Sequence, residues 1–219
     1  MNYKTTWDVH LEDFRNVMTL INNNKSFRKD HKQYVEYIDL AQKSSWSNDL
    51  HKITMKDIDE IVYPFLNRWG GCRLPRLPNV LIDVVTRADD YIKPLRSLSI
   101  EDADFLKLSG KSRHPLILIE RAFRMISEAK AGMRTLGPTA TSKLLHLILP
   151  NLFVMWDDSI REYWGCQGNA VGYSNFMLRM NLLVKSLLYE AKGDEKKITM
   201  ELPLTIARLL DIYNLSQCP

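Results

Sequence analysis

Lys143 and Asp157 are the residues whose types and spacing point most directly to chemistry. A lysine amine that can shed its proton attacks electrophilic carbon and forms a Schiff base. A carboxylate held in a partly dry site stabilises positive charge as it develops on the reacting group. Each has an ordinary alternative: a lone lysine is usually a solvated helix residue, and an aspartate ahead of a helix is often only its cap. What singles the pair out is the chain between them. Leu136, Gly137 and Pro138 make a turn, Pro138 suits a first helical position, and Leu144, Leu145, Leu147, Ile148 and Leu149 carry a helix to Pro150. Lys143 falls in its second turn. From there to the helix end is roughly 10 Å at about 1.5 Å per residue, and the segment 151–156 can span about 20 Å. The chain can therefore run back and set Asp157 beside Lys143. Ser159 and Glu162 have the spacing of a capping box, which predicts a helix opening there with Asp157 and Asp158 against the positive end of its dipole.

A hairpin turn leading to a Lys, then a short helix, a loop and an Asp that opens the next helix, resembles the signature of the helix-hairpin-helix-GPD superfamily of DNA glycosylases. Its pattern is approximately LPGVGxKTA followed by VDxHxxR. The likeness covers about 30 of 219 residues, near 133–165. Thr139 and Thr141 stand where hairpin glycines are expected, and the interval from Lys143 to Asp157 is shorter than in the larger members. The resemblance implies that Lys143 is the nucleophile and Asp157 the essential acid, with Asp157 to Arg161 starting the helix behind them. It implies that Arg134, Gly137, Thr139, Thr141 and Ser142 form a DNA-binding hairpin, and that the site lies in a cleft between two lobes. For the base pocket the candidates are His146, Trp156 and Asp158, with Phe65 and Trp69 as a wall from the first half. Each has a second reading: His146 as a satisfied core histidine, Asp158 as a capping or solvent residue, the aromatics as core.

The implied activity is base excision, with strand cleavage where the lysine forms a Schiff base. A base inside a duplex must be flipped out, at about a few kcal/mol, least for a damaged or mispaired base. An ordinary lysine, with a pKa near ~10.4, is protonated at neutral pH, so the site has to remove that proton. An oxidised purine is the first expectation for the excised base; a modified base of foreign DNA, as in a defence glycosylase, is the alternative. A non-catalytic helical DNA-binding protein is a second class of reading, and a protein-interaction bundle a third.

Composition frames these readings. The chain has 219 residues, 45% of them hydrophobic, and a net charge of +4, enough apolar material to fold without staples. From Lys111 to His146 there are seven Lys or Arg against Glu120 and Glu128, the kind of basic run a phosphate track requires, although such runs are commonly the wet face of a helix. Cys72, Cys166 and Cys218 form no CxxC pair, which argues against a disulfide framework, a structural zinc site and the four-cysteine iron–sulfur cluster of some related glycosylases. The five histidines show no metal spacing, so metal-free chemistry without a cofactor is expected. The N-terminus lacks an apolar leader and no stretch approaches 18 apolar residues. A soluble, intracellular monomer acting on DNA, with no membrane partner, is the expectation.

The elements that must position the pair read as helices nearly throughout, near 7–21, 31–43, 54–69, 78–93, 99–108, 114–131, 138–149, 158–164, 173–192 and 200–214. Thr54 with Asp57 and Ser99 with Asp102 look like helix starts, Gly70 with Gly71 like a stop, and Pro203 suits a first turn. Asn22 to Lys32 and Arg73 to Asn79 read as loops. The fold class expected is an all-α, two-lobed bundle with a helix-hairpin-helix-like element, built as one compact unit. The last helix, apolar at Leu204, Ile206, Leu209, Leu210 and Ile212, reads as packing.

Overall fold

A computed structural model describes residues 9–70, 78–107, 113–131, 134–200, 202 and 204–218. Cys72, Arg73, Lys111 and Pro203 lie outside them, as does the side chain of Arg134. The chain is an all-α bundle. Its helices are α1 (Leu11–Asn22), α2 (Lys25–Lys43), α3 (Met55–Asp57), α4 (Tyr63–Gly70), α5 (Pro78–Ile92), α6 (Pro115–Ser127), α7 (Gly137–Ile148), α8 (Asp158–Tyr163), α9 (Ala170–Glu190), α10 (Glu195–Thr199) and α11 (Ile206–Gln217). Thr54 opens α3 at the helix start expected there, and does so with a capping box to Asp57. PNVLIDVV, which could pass for a strand, is the first half of α5.

The apolar core runs without interruption from Val9 near one end of the chain to Tyr213 near the other. α6 packs against α5, α7 and α9, while α7 also meets α2 and α4, and α11 meets α1, α8 and α10. Between α6 and α7 the predicted helix gives way to a minimal hairpin, with β1 (Lys130–Ala131) antiparallel to β2 (Arg134–Thr135). From Ala140 to Ile148 every residue of α7 is buried, so this helix is enclosed on all sides rather than amphipathic.

Further sequence expectations change. The loop expected over Asn22 to Lys32 is helical from Lys25, where α2 begins. The helix expected over 99–108 is a single turn: Ser99 and Asp102 exchange the hydrogen bonds of a helix start, but the chain goes no further. The carbonyls a helix would need are taken by α9, Asn181 donating to Ile100 and Ala103 and Lys185 donating to Ala103 at 2.9 Å. The helix expected over 200–214 starts later, as α11 after Thr205, whose hydroxyl accepts the Arg208 amide at 3.1 Å. At α8 the cap is Asp157 rather than Ser159, its Oδ1 accepting the Ile160 amide at 3.0 Å.

Candidate active site

α7 carries four buried polar side chains, and the hydrogen bonds of two of them, Ser142 and His146, fix the path of the chain that follows. Ser142 Oγ accepts the Trp156 amide at 3.2 Å and shares its own proton between the carbonyls of Thr139 and Trp156. His146 sits one turn on, with Nδ1 against the Phe153 carbonyl and Nε2 2.6 Å from the Tyr34 hydroxyl. Because a carbonyl can only accept, Nδ1 carries the proton and the Tyr34 O–H donates to Nε2. Tyr173 of α9 adds a bond to the Val154 carbonyl at 2.9 Å, and Trp156 Nε1 reaches the Pro138 carbonyl at 3.3 Å. The returning segment Leu152–Trp156, itself buried, is thus pinned along its length. Asp157 emerges from it at the start of α8.

Lys143 and Asp157 consequently line one cavity, together with Trp69, Met155, Trp156, Ile160 and three residues of α11, Arg208, Asp211 and Leu215. The Lys143 amine is buried and donates to the Trp69 carbonyl near the end of α4, which satisfies one of the carbonyls a helix end leaves open. Arg208 and Asp211 form a buried ion pair one turn apart, and the guanidinium lies over the Tyr34 ring, 4.6 Å from its centroid. Burial raises the Asp211 carboxyl above the ordinary carboxylate range, and Asp157 adds to this, while Arg208 and Lys143 oppose it. Burial likewise raises the Tyr34 hydroxyl and lowers His146 to about 3, with Arg208 adding to the lowering. The imidazole is therefore neutral and structural at physiological pH.

The cavity is about 110 Å³, below the ~300–1,000 Å³ of small-molecule pockets. It holds a few atoms or waters beside the amine and the carboxylates, with the half-buried Trp69 on its wall. Larger hollows of about 480 and 400 Å³ exist elsewhere, along α1 with Glu190 and beside Glu101 with Thr205. They are open surface grooves without such a convergence of buried charge.

Lys143, Asp157, Trp69 and Trp156 are brought together; the other candidates are placed differently. Phe65 is fully buried behind Trp69, its ring 5.1 Å away centroid to centroid, so it backs the wall without lining the cavity. His146 is enclosed by Tyr34 and Phe153 and does not face the cavity either. Asp158 is exposed and pairs with Arg161 at 3.0 Å, which makes it a surface residue. For Thr141 and Ser142 a DNA contact is corrected: both are fully buried, Thr141 bonded to the Gly137 carbonyl at 2.7 Å and Ser142 as above. Gly137, at a φ of +76° that favours glycine, and Thr139 retain partial exposure at the start of α7. Arg208, Asp211 and Tyr34 are absent from the sequence-based site.

Among the described residues, one group of side chains has ligand atoms close enough to share a metal ion, Asp49, His51 and Asp89. It sits on other elements, and Asp89 is already neutralised by Arg96 at 2.8 Å. No helix among the described residues is long and apolar enough to cross a membrane. No family model matches the chain, and neither the curated proteins nor the solved structures contain a match to it.

Proposed function

We propose that the protein is a base-excision DNA glycosylase with lyase capacity, in which Lys143 is the nucleophile and Asp157 the carboxylate that stabilises the developing sugar cation. The observation that carries this reading is the convergence in one cavity of a buried amine on α7 and a carboxylate at the start of α8. In this reading a flipped nucleotide presents its sugar at the mouth beside Trp69. The Lys143 amine exchanges the Trp69 carbonyl for C1′, the base departs, and the resulting Schiff base permits β-elimination. The small cavity suits this division: it admits the reacting groups of the protein and leaves the base outside, against Trp69 and Leu215. The excised base belongs to the class of damaged or modified bases, with an oxidised purine first.

A structural role for Lys143, closing the end of α4 through the Trp69 carbonyl, is favoured by that same hydrogen bond. Borohydride trapping separates the two. Wild type and Lys143→Gln are incubated with duplexes that each carry one modified base, with heat and alkali cleavage read alongside. The glycosylase–lyase reading expects a covalent adduct on one lesion that vanishes in the variant. Alkali-labile sites without an adduct would reassign the chemistry to Asp157 and water, and neither product on any duplex would favour the structural role.

A further inference from the structure

The cavity holds two carboxylates in contrasting surroundings. Asp157 commits Oδ1 to the Ile160 amide at the start of α8 and is half-exposed. Asp211 is buried on α11 and held by Arg208, which is itself fixed against Tyr34. Where two carboxylates share a site in unlike environments, the environments assign them unlike tasks. The helix-cap carboxylate, open to the cavity, is suited to electrostatic stabilisation of a positive charge. The enclosed one, whose burial raises its proton affinity, is suited to receive a proton.

We propose that Asp211, oriented by Arg208, is the proton acceptor that converts the Lys143 ammonium to the reactive amine, leaving Asp157 free to act only as the electrostatic partner of the sugar. This rests on the glycosylase–lyase reading of the cavity. The groups facing Asp211 are Lys143 from α7, Asp157 at the start of α8, Arg208 on its own helix, and the phenols of Tyr34 from α2 and Tyr173 from α9. Of these, the Lys143 ammonium is the donor that the proposed reaction must deprotonate. The cavity also has room for a water between them, since a water occupies about 30 Å³ of liquid volume.

For an abasic sugar in its aldehyde form the step balances as follows. The Lys143 ammonium gives one proton to the Asp211 carboxylate, and the amine lone pair forms the N–C1′ bond as the carbonyl π pair moves to oxygen. A second proton passes from nitrogen to that oxygen, giving the carbinolamine. Asp211 then returns its proton to the hydroxyl, which leaves as water, and the cationic Schiff base remains with Asp211 ionised again. One ammonium and one aldehyde become one iminium and one water, with no oxidant, reductant or metal required.

An abasic-site duplex tests this without knowledge of the excised base. Borohydride trapping rates are measured from pH 6 to about 10 for wild type, Lys143→Gln, the double variant Arg208→Met with Asp211→Leu, and Asp211→Asn. Replacing both members of a buried ion pair by apolar residues is often neutral or stabilising, so the double variant keeps the fold, checked by circular dichroism. Loss of a general base lowers rate by about 10²–10⁴-fold. The double variant is expected to trap at least about 100-fold more slowly than wild type at pH 7, the gap closing as pH approaches the ~10.4 of a free lysine. Asp211→Asn shows the same profile and stands in if the double variant unfolds. A variant profile parallel to wild type at every pH, whether equal or uniformly lowered, overturns the assignment of Asp211 while leaving the Lys143 reading intact. Absence of Lys143-dependent trapping in the wild type overturns the lyase reading itself and this inference with it.

Discussion

α7 and α11 are both helices buried nearly all round, and they use their polar residues in opposite ways. On α7 the neutral groups Ser142 and His146 bond to the returning backbone and so fix the path from Leu152 to Asp157, while Thr141 bonds within its own helix. On α11 the charged pair Arg208 and Asp211 neutralises itself and borders the cavity instead. Apart from Lys143, α7 supports the site with neutral groups, whereas α11 brings it an ion pair. A buried neutral network is satisfied locally and rigidifies; a buried ion pair is weak evidence for stability, and the proton transfer proposed for Asp211 gives this one a use.

The largest expected effect breaks this contrast on the α11 side. Arg208→Met alone strands the Asp211 carboxylate and should lower stability in chemical denaturation by about 3–5 kcal/mol, while adding Asp211→Leu should restore most of the loss. If the double variant is as unstable as the single, the pair is not the unit described. On the α7 side, Ser142→Ala removes the anchor of Trp156 and should cost about 1–3 kcal/mol, with slower trapping because Asp157 is no longer held in register. Unchanged trapping in that variant would separate the anchor from the site.

A pH series sharpens the comparison further. The folded protein holds His146 at about 3 against an ordinary 6.5, so between those values the unfolded chain binds the extra proton and stability falls as pH falls. The contribution of His146 should be fully present above about pH 6.5 and be lost at up to about 1.4 kcal/mol per pH unit on the way down to about 3. In His146→Phe that part of the slope should vanish, although the plateau is lower because Tyr34 and the Phe153 carbonyl lose their partner. Asp211, whose burial shifts it the other way, and His31, lowered chiefly by burial, are common to both proteins and drop out of the difference. Equal slopes would mean that His146 is not the buried neutral imidazole described. The smallest effect belongs to the surface: Asp158→Asn breaks only an exposed pair with Arg161 and should change stability by less than about 0.5 kcal/mol in the same denaturation assay.

How much of this was legible in the chain follows the range of the forces involved. α7 and the return to Asp157 could be read because Pro138, Pro150 and the leucines between them act within a few residues. The failed helix over 99–108 could not, because Asn181 and Lys185, some eighty residues away, take the carbonyls it needed. The role of Ser142 was hidden for a similar reason: a serine near a helix start reads as surface until Trp156 is known to lie against it. For Arg208 and Asp211 a signal was present. They are the only charged residues from Ile206 to Leu215, and a single pair on an otherwise apolar helix is the mark of one enclosed on all sides. What surrounds that pair, Tyr34 and Lys143, is a matter of tertiary packing and carries no local trace.

Whether the Lys143 amine is the group that meets the sugar is tested most directly by mapping the cross-link. After borohydride reduction on an abasic-site duplex, the adduct is digested with nuclease and protease and the modified residue is identified by mass spectrometry. The reduced sugar is expected on Lys143. An adduct on another lysine or on the terminal amine, with Lys143 unmodified, would contradict it.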